Sequence, residues 1–360
     1  MTPPRRPRTA PAVSVPADCW YAVCASDSVV HELQPIRAVN QSVVLFRTAD
    51  GSVAALQDCC AHRPYPLSAG TLDGDTLRCG LCGFEYDPTG QCVRVPSQSR
   101  VPIGAAVRAY PVHEEHGLVW VWFGQPGRAA LHRIPSLPWL DSDDWVSVAG
   151  QQVVGAGFLL LHESFADVTK IPVLAPEISP EVLQSEPPPL DVVVTETTVS
   201  LSRQFPPGLL PDWQARALGV DPETKFDHRQ EGHFHSPAAW VDHWDVDGVG
   251  ADTAHMRFTH LVTPIDARSS QLHWYVSRDF AADDDATSQR LADMFATYYG
   301  RLSTALEITQ SITDLDGPQP EVNVSADVAA LKVRGIVQSL LAEEGARSRN
   351  RSARGRFSSH

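Results

Sequence analysis

The chain has 360 residues, 43% of them hydrophobic, with nine Trp and a formal net charge of −14. That is enough for one large domain or two ordinary ones around a sizeable core, and 29 Pro predict many loops and few long helices. Arg5, Arg6, Arg8, Arg347, Arg349, Arg351, Arg354 and Arg356 crowd the two ends, so the body between them is more acidic still, which excludes a general nucleic-acid binder.

No apolar stretch approaches the ~18 residues of a membrane span, and the first residues lack the apolar run of a secretory signal. All seven Cys fall between Cys19 and Cys92. An odd number, confined to one region, argues for a metal site in a reducing, cytoplasmic setting rather than a disulfide framework.

In chain order, residues 1–17 are Pro- and Arg-rich and read as a disordered tail. Val43–Phe46 and Val53–Leu56 flank Asp50-Gly51, a hairpin signal. Strand-like runs follow at Tyr110–Val112 and Gly117–Phe123. Residues 18–125 therefore read as a small antiparallel β domain, and 126–145 as a Pro-rich connector. Residues 146–344 read as a mixed α+β domain, with a helix over Leu159–Lys170 and strands at 192–204, 254–264 and 271–280. Its longest helix spans Thr287–Asp314, where Leu291, Phe295, Tyr298, Leu302 and Leu306 share one face. The basic end, 345–360, reads as a second disordered tail.

The chemistry-bearing stretch is Cys60-x-His62, then sixteen residues, then Cys79-x-x-Cys82. Two soft-ligand pairs on two loops suit one metal centre. The four residues could hold a [2Fe–2S] cluster, and Zn2+ would suit the same set. Cys59 and Cys92 read as filler, Cys19 and Cys24 as core.

These motifs, with Trp20-Tyr21-Ala22-Val23, Gly83-Phe84-x-Tyr86-Asp87, Asp242-His243-Trp244, Thr259-His260-x-x-Thr263-Pro264 and Arg278-Asp279-Phe280, resemble the α subunit of Rieske non-haem iron oxygenases of the vanillate O-demethylase-like type. The resemblance implies an α+β chain, an N-terminal antiparallel β Rieske-type domain followed by a helix-grip (START-like) domain. It implies electrons received from a ferredoxin or reductase and passed to a mononuclear Fe(II) in the next subunit of a ring. That iron is held by two His and one carboxylate, with open positions for O2.

Here the pattern departs from the family. The last cluster ligand is Cys82, where the family has His. Asp167 matches the motif's bridging Asp, but the iron positions hold Lys170 and Ala175, and the later helix places Leu302 at the carboxylate. Neither ammonium nor methyl offers a lone pair. A thiolate at position 82 has no N–H to give Asp167 and should lower the cluster's potential. The expectation is a degenerate member: a non-catalytic auxiliary subunit without mononuclear iron, in a trimeric or hexameric ring with an iron-competent α subunit. One alternative is repurposed pocket chemistry, cluster-only redox or acid–base work by Lys170, Asp167 and Glu163. In the bland reading Lys170 forms a salt bridge to Asp167. A second alternative relocates iron to His162, His243 and nearby acids. His228, His233, His235 and His243 suggest a metal site by number alone, and His243 lies in a strand that lines the pocket in relatives.

Overall fold

The computed structural model describes residues 15–249 and 252–357. Residues 1–14 and 358–360, most of the first expected tail and the end of the second, lie outside the described residues.

The N-terminal half holds β1 (Trp20–Ala25), β2 (Gln34–Ala38), β3 (Gln41–Arg47), β4 (Val53–Gln57), β5 (Thr71–Asp73), β6 (Thr76–Arg78), β7 (Glu85–Tyr86), β8 (Cys92–Arg94), β9 (Val112–Glu115) and β10 (Leu118–Trp122). They form three small antiparallel sheets, ordered β1-β10-β9, β2-β3-β4 and β5-β6-β7-β8. The predicted hairpin is β3–β4. Its run Val43–Phe46 is apolar throughout because β3 is covered on both sides. Val43 and Leu45 join the main core, whereas Val44 and Phe46 pack with Leu56, Leu77 and Tyr86 beneath the cysteine loops.

The second half holds β11 (Val146–Val154), α1 (Phe158–Phe165), α2 (Ile171–Leu174), β12 (Asp191–Val194), β13 (Val199–Leu209), α3 (Asp212–Leu218), β14 (Lys225–Ser236), β15 (Ala239–Val249), β16 (Asp252–Asp266), β17 (Ser269–Arg278), α4 (Asp285–Asp316) and α5 (Val328–Phe357). Seven strands form one antiparallel sheet, ordered β11-β17-β16-β15-β14-β13-β12. Its strands present alternate residues to opposite faces. In β11 and β14–β17 even-numbered residues such as Trp244 and Trp274 face the core beneath α4, where Trp274 stacks on Tyr299 at 4.7 Å between ring centroids. Odd-numbered Ala239, Val241 and Leu261 pack on Trp20, Trp120, Trp122 and Trp139 of the first domain and connector. On the core face, Gly150 of β11 makes room for Trp274, because a Cβ there would lie 2.3 Å from its ring. Among the described residues no helix is long and apolar enough to cross a membrane.

Three expectations need correction. The helix expected over Leu159–Lys170 ends at Phe165. Pro172, at the second position of α2, lacks an N–H to continue a helix from the preceding turn, and Asp167–Lys170 forms the break. Order begins before residue 18: Val15 is buried, and the Ala17 and Asp18 N–H groups donate to the Glu344 carboxylate at 3.0 and 2.8 Å. The second tail is not wholly disordered either, since α5 runs past residue 344 to Phe357. Arg347 meets Asp18 at 3.3 Å and Glu343 at 3.2 Å, which neutralises charge at its start.

Candidate functional site

Cys60 follows β4, while Cys79 and Cys82 lie on the turn between β6 and β7. Their sulfurs all approach within 4.8 Å of one another, with Cys60 Sγ and Cys82 Sγ 3.6 Å apart. The turn needs Gly83, whose φ is +71°, and a Cβ there would lie 2.9 Å from Pro96 Cγ. Tyr86 Oη sits 3.2 Å from Cys60 Sγ and accepts the Ala61 N–H at 3.1 Å, tying the two loops together. Burial works against a Cys60 thiolate. Hydrogen bonds from Tyr86, the His62 N–H and Cys82 outweigh it, so the Cys60 thiol ends below its ordinary value. Burial first, then neighbouring Cys60 and Cys79, push the Cys82 thiol up to about 11. His62 stands outside the converging trio. It is exposed, its ring stacked on Phe84 at 5.0 Å and 9°. Three convergent thiols, with an imidazole two residues along the chain from Cys60, fit an iron–sulfur cluster.

A second polar centre lies in the other domain. A cavity of about 80 Å³ opens between the large sheet and α4. Apolar side chains such as Phe165, Met256 and Phe295 line it, and Lys170, Asp242 and His260 also reach it. The Lys170 amine donates to the Ser164 and Asp167 carbonyls. Burial holds it down to about 8, against the pull of Asp167 and Asp242. Asp242 Oδ2 accepts from Trp240 Nε1 at 2.8 Å, while Oδ1 is buried without a partner. Burial raises this carboxyl to about 7, opposed by Trp240 and Lys170. His260 stacks on Phe165 at 3.9 Å and its Nε2 lies 2.8 Å from Tyr299 Oη. Burial, then Lys170, hold this imidazole down to about 3, so it is neutral. The cavity can store a proton on Asp242 or Lys170 near neutral pH. Among the described residues, it gathers no set of three close His, Cys, Asp or Glu ligands.

The Rieske [2Fe-2S] domain family matches residues 19–111, and the vanillate O-demethylase oxygenase C-terminal domain family matches residues 154–343. The chain belongs to the vanillate O-demethylase-like Rieske oxygenase family. A toluene-4-sulfonate monooxygenase system iron-sulfur subunit from Comamonas testosteroni is 28% identical over 340 residues, 91% of this chain and 97% of that one. A vanillate O-demethylase oxygenase subunit from a Pseudomonas species is 28% identical over 320 residues, 85% of this chain and 96% of that one. The crystal structure of dicamba monooxygenase bound to 3,6-dichlorosalicylic acid superposes with a TM-score of 0.83 at 26% identity, covering 92% of this chain and 98% of the other.

Within this Rieske oxygenase fold, the expected iron positions separate. Lys170 lines the cavity; Ala175 is buried outside its lining. Leu302 is buried in α4 but does not line the cavity, which Tyr298 and Tyr299 face one turn earlier and Phe295 two turns earlier. The Lys170–Asp167 salt bridge does not form. Because the helix breaks there, the Asp167 carboxylate caps its own turn, accepting the Thr169 N–H at 2.8 Å and its hydroxyl at 2.7 Å. Glu163 is taken by α5, where Arg334 Nε and Nη2 reach its two oxygens at 2.6 and 2.9 Å. Neither acid lines the cavity, so of the three acid–base candidates only Lys170 stands in it. His162 is fully buried, its Nε2 2.9 Å from the Pro237 carbonyl, outside the cavity lining.

Of the four histidines only His228 separates: the His233 ring lies 5.8 Å from His235 and 4.9 Å from His243 between centroids. His228 is buried on the core side, its Nε2 3.2 Å from the Gly208 carbonyl. His243 does not line the pocket, since Asp242 and Trp244 do and strand alternation turns His243 to the opposite face. Asp242, His260 and Tyr299 line the cavity without any ligand spacing along the chain that marks them, and Tyr298 joins them from the apolar stripe of α4. The alternation Trp240-x-Asp242-x-Trp244, which buries a carboxylate between two indoles, was the available signal.

Proposed function

We propose that this chain is a Rieske-type iron–sulfur protein whose second domain does not hold a mononuclear iron. It serves as a non-catalytic auxiliary subunit beside an iron-competent oxygenase α subunit in a trimeric or hexameric ring. The observation that carries this reading is the Lys170 amine inside the cavity, bonded to the Ser164 and Asp167 carbonyls where the family's first iron imidazole is expected. A protonated amine offers iron no lone pair and repels a dication. The side chains around it do not fit the family's facial triad, and no catalytic step is assigned to iron here.

Cys60, Cys79, Cys82 and His62 would hold the [2Fe–2S] group, which supplies one-electron transfer when bound. Tyr86 Oη stands within hydrogen-bond reach of the Cys60 sulfur, an interaction that stabilises negative charge on it. Two features argue against onward transfer. Cys82 has no ring N–H, and the Asp167 carboxylate is engaged by Thr169. A part in a larger assembly fits the relative that is an iron-sulfur subunit of a monooxygenase system.

Co-expression with an iron-competent homologue tests the reading. The account expects a stable mixed complex in which oxygenase turnover is unchanged by Lys170→Ala. A homogeneous preparation that oxygenates a substrate alone would overturn it. A second reading rests on Lys170 and Asp242, which both change protonation near neutral pH in one cavity. It makes the pocket an acid–base centre, and it requires that Lys170→Ala abolish a turnover the isolated chain performs.

A further inference from the structure

We propose that Glu231, His233 and His243 form a binding site for a divalent metal ion of the zinc class, on the face of the large sheet turned away from the cavity. Their ligand atoms all lie within 4.8 Å of one another. The strands bring them together by register: Glu231 of β14 stands directly across from His243 of β15, and His233 follows Glu231 by two residues on the same face.

The distances suit a metal better than a hydrogen-bonded cluster. His233 Nε2 is 3.5 Å and His243 Nδ1 is 3.7 Å from the same oxygen, Glu231 Oε2. Both are at or beyond the limit of a direct hydrogen bond. A tetrahedral ion with bonds of ~2.0–2.2 Å sets its ligand atoms about 3.3–3.5 Å apart. Each measured value falls within ~0.2 Å of that range, a normal margin for a metal site.

The surroundings orient these ligands. Ser200 Oγ lies 3.1 Å from His233 Nδ1 and leaves Nε2 directed at Glu231, the kind of outer partner that fixes a metal-binding imidazole. Arg229 Nε lies 3.8 Å from Glu231 Oε1, the oxygen not shared with the histidines. Trp139 meets the His243 ring edge-on at 5.5 Å and is anchored by its Nε1 donating to Thr259 Oγ1 at 3.0 Å.

Three protein ligands leave the fourth position open to water or an incoming group. The site lies where the connector's Trp139 seats on the sheet, so a bound ion would brace β14 against β15 at that seam. Asp242 and Trp244 point into the cavity from the other face of the same strand, so this site does not substitute for the cavity's missing iron ligands.

The test uses the full chain, purified with its iron–sulfur centre and titrated with Zn2+ alone against a chromophoric chelator. Iron and zinc per chain are measured together. The expected result is one zinc retained per chain with iron unchanged. His233→Ala and His243→Ala should each weaken binding about 100-fold, and Ser200→Ala about tenfold. Glu231→Gln keeps the side chain's shape and decides the matter if the alanine variants fold poorly; it too should weaken zinc strongly. Zinc that is not retained, that appears only as iron is lost, or that binds all the variants equally would overturn the assignment.

Discussion

The two polar centres of this chain differ in where their side chains turn. At the cysteine loops, three sulfurs from two turns converge on one point, with Tyr86 bracing Cys60. In the cavity, the polar groups satisfy the protein instead: Lys170 bonds two carbonyls, Asp242 bonds Trp240 and His260 faces Tyr299. Both domains keep their family fold. That fold rests on dozens of buried apolar side chains, whereas each centre's chemistry rests on three or four polar ones. The second can change while the first persists, and the contrast between these centres is the chain's main functional statement.

The contrast breaks most visibly if the cysteine loops prove dispensable. Cys79→Ser should remove the iron and the visible absorption and lower the melting temperature by many degrees, because a site that folds around its metal takes stability from it. Iron retained at the wild-type level in this variant would place the centre elsewhere.

The cavity should show itself in pH dependence. Asp242 is raised from 3.8 to about 7 in the folded state, so the folded chain holds the extra proton across that window and stability falls as pH rises through it. Lys170 is lowered from 10.5 to about 8, so the unfolded chain holds the extra proton there and stability rises with pH across that window. Together they predict a shallow minimum between about 7 and 8. Melting curves from pH 5 to 10 should show Asp242→Asn flattening the acid limb and Lys170→Met the alkaline one. Unchanged slopes in both variants would remove the buried pair from the account.

A smaller effect sharpens the comparison further. Above about pH 8, where burial leaves the amine neutral, Lys170→Ala should cost about 1–3 kcal/mol in denaturant unfolding, because the Asp167 carbonyl is left without its donor. It should leave the visible spectrum of the cysteine loops untouched. The smallest expected change is at the chain ends. Arg347→Ala should cost less than about 1 kcal/mol, since its pairs to Asp18 and Glu343 are partly exposed. A larger loss would show that α5 staples the first domain.

Much of this was legible in the residues. The cysteine spacing marked the first centre, and the apolar stripe of α4 marked the helix over the cavity. β14 was not legible. Its core-facing residues are Phe226, His228, Gln230, Gly232 and Phe234, and a strand that lines a cavity carries polar groups on its buried face, which hides the period of two. The fate of Lys170 depended on where α1 stops. An unbroken helix sets it over Asp167, whereas the break before Pro172 turns its amine to carbonyls. The Glu231, His233 and His243 grouping is set by cross-strand register, which spacing along the chain does not encode.

The central claim concerns iron. The direct measurement is iron per chain in protein purified under anaerobic conditions, with an EPR spectrum of the reduced form. The account predicts two irons per chain and one signal, shifted from two-histidine Rieske centres toward those of all-cysteine ferredoxins. A third iron per chain that is lost on Asp242→Ala or His260→Ala, with turnover lost alongside it, would contradict it.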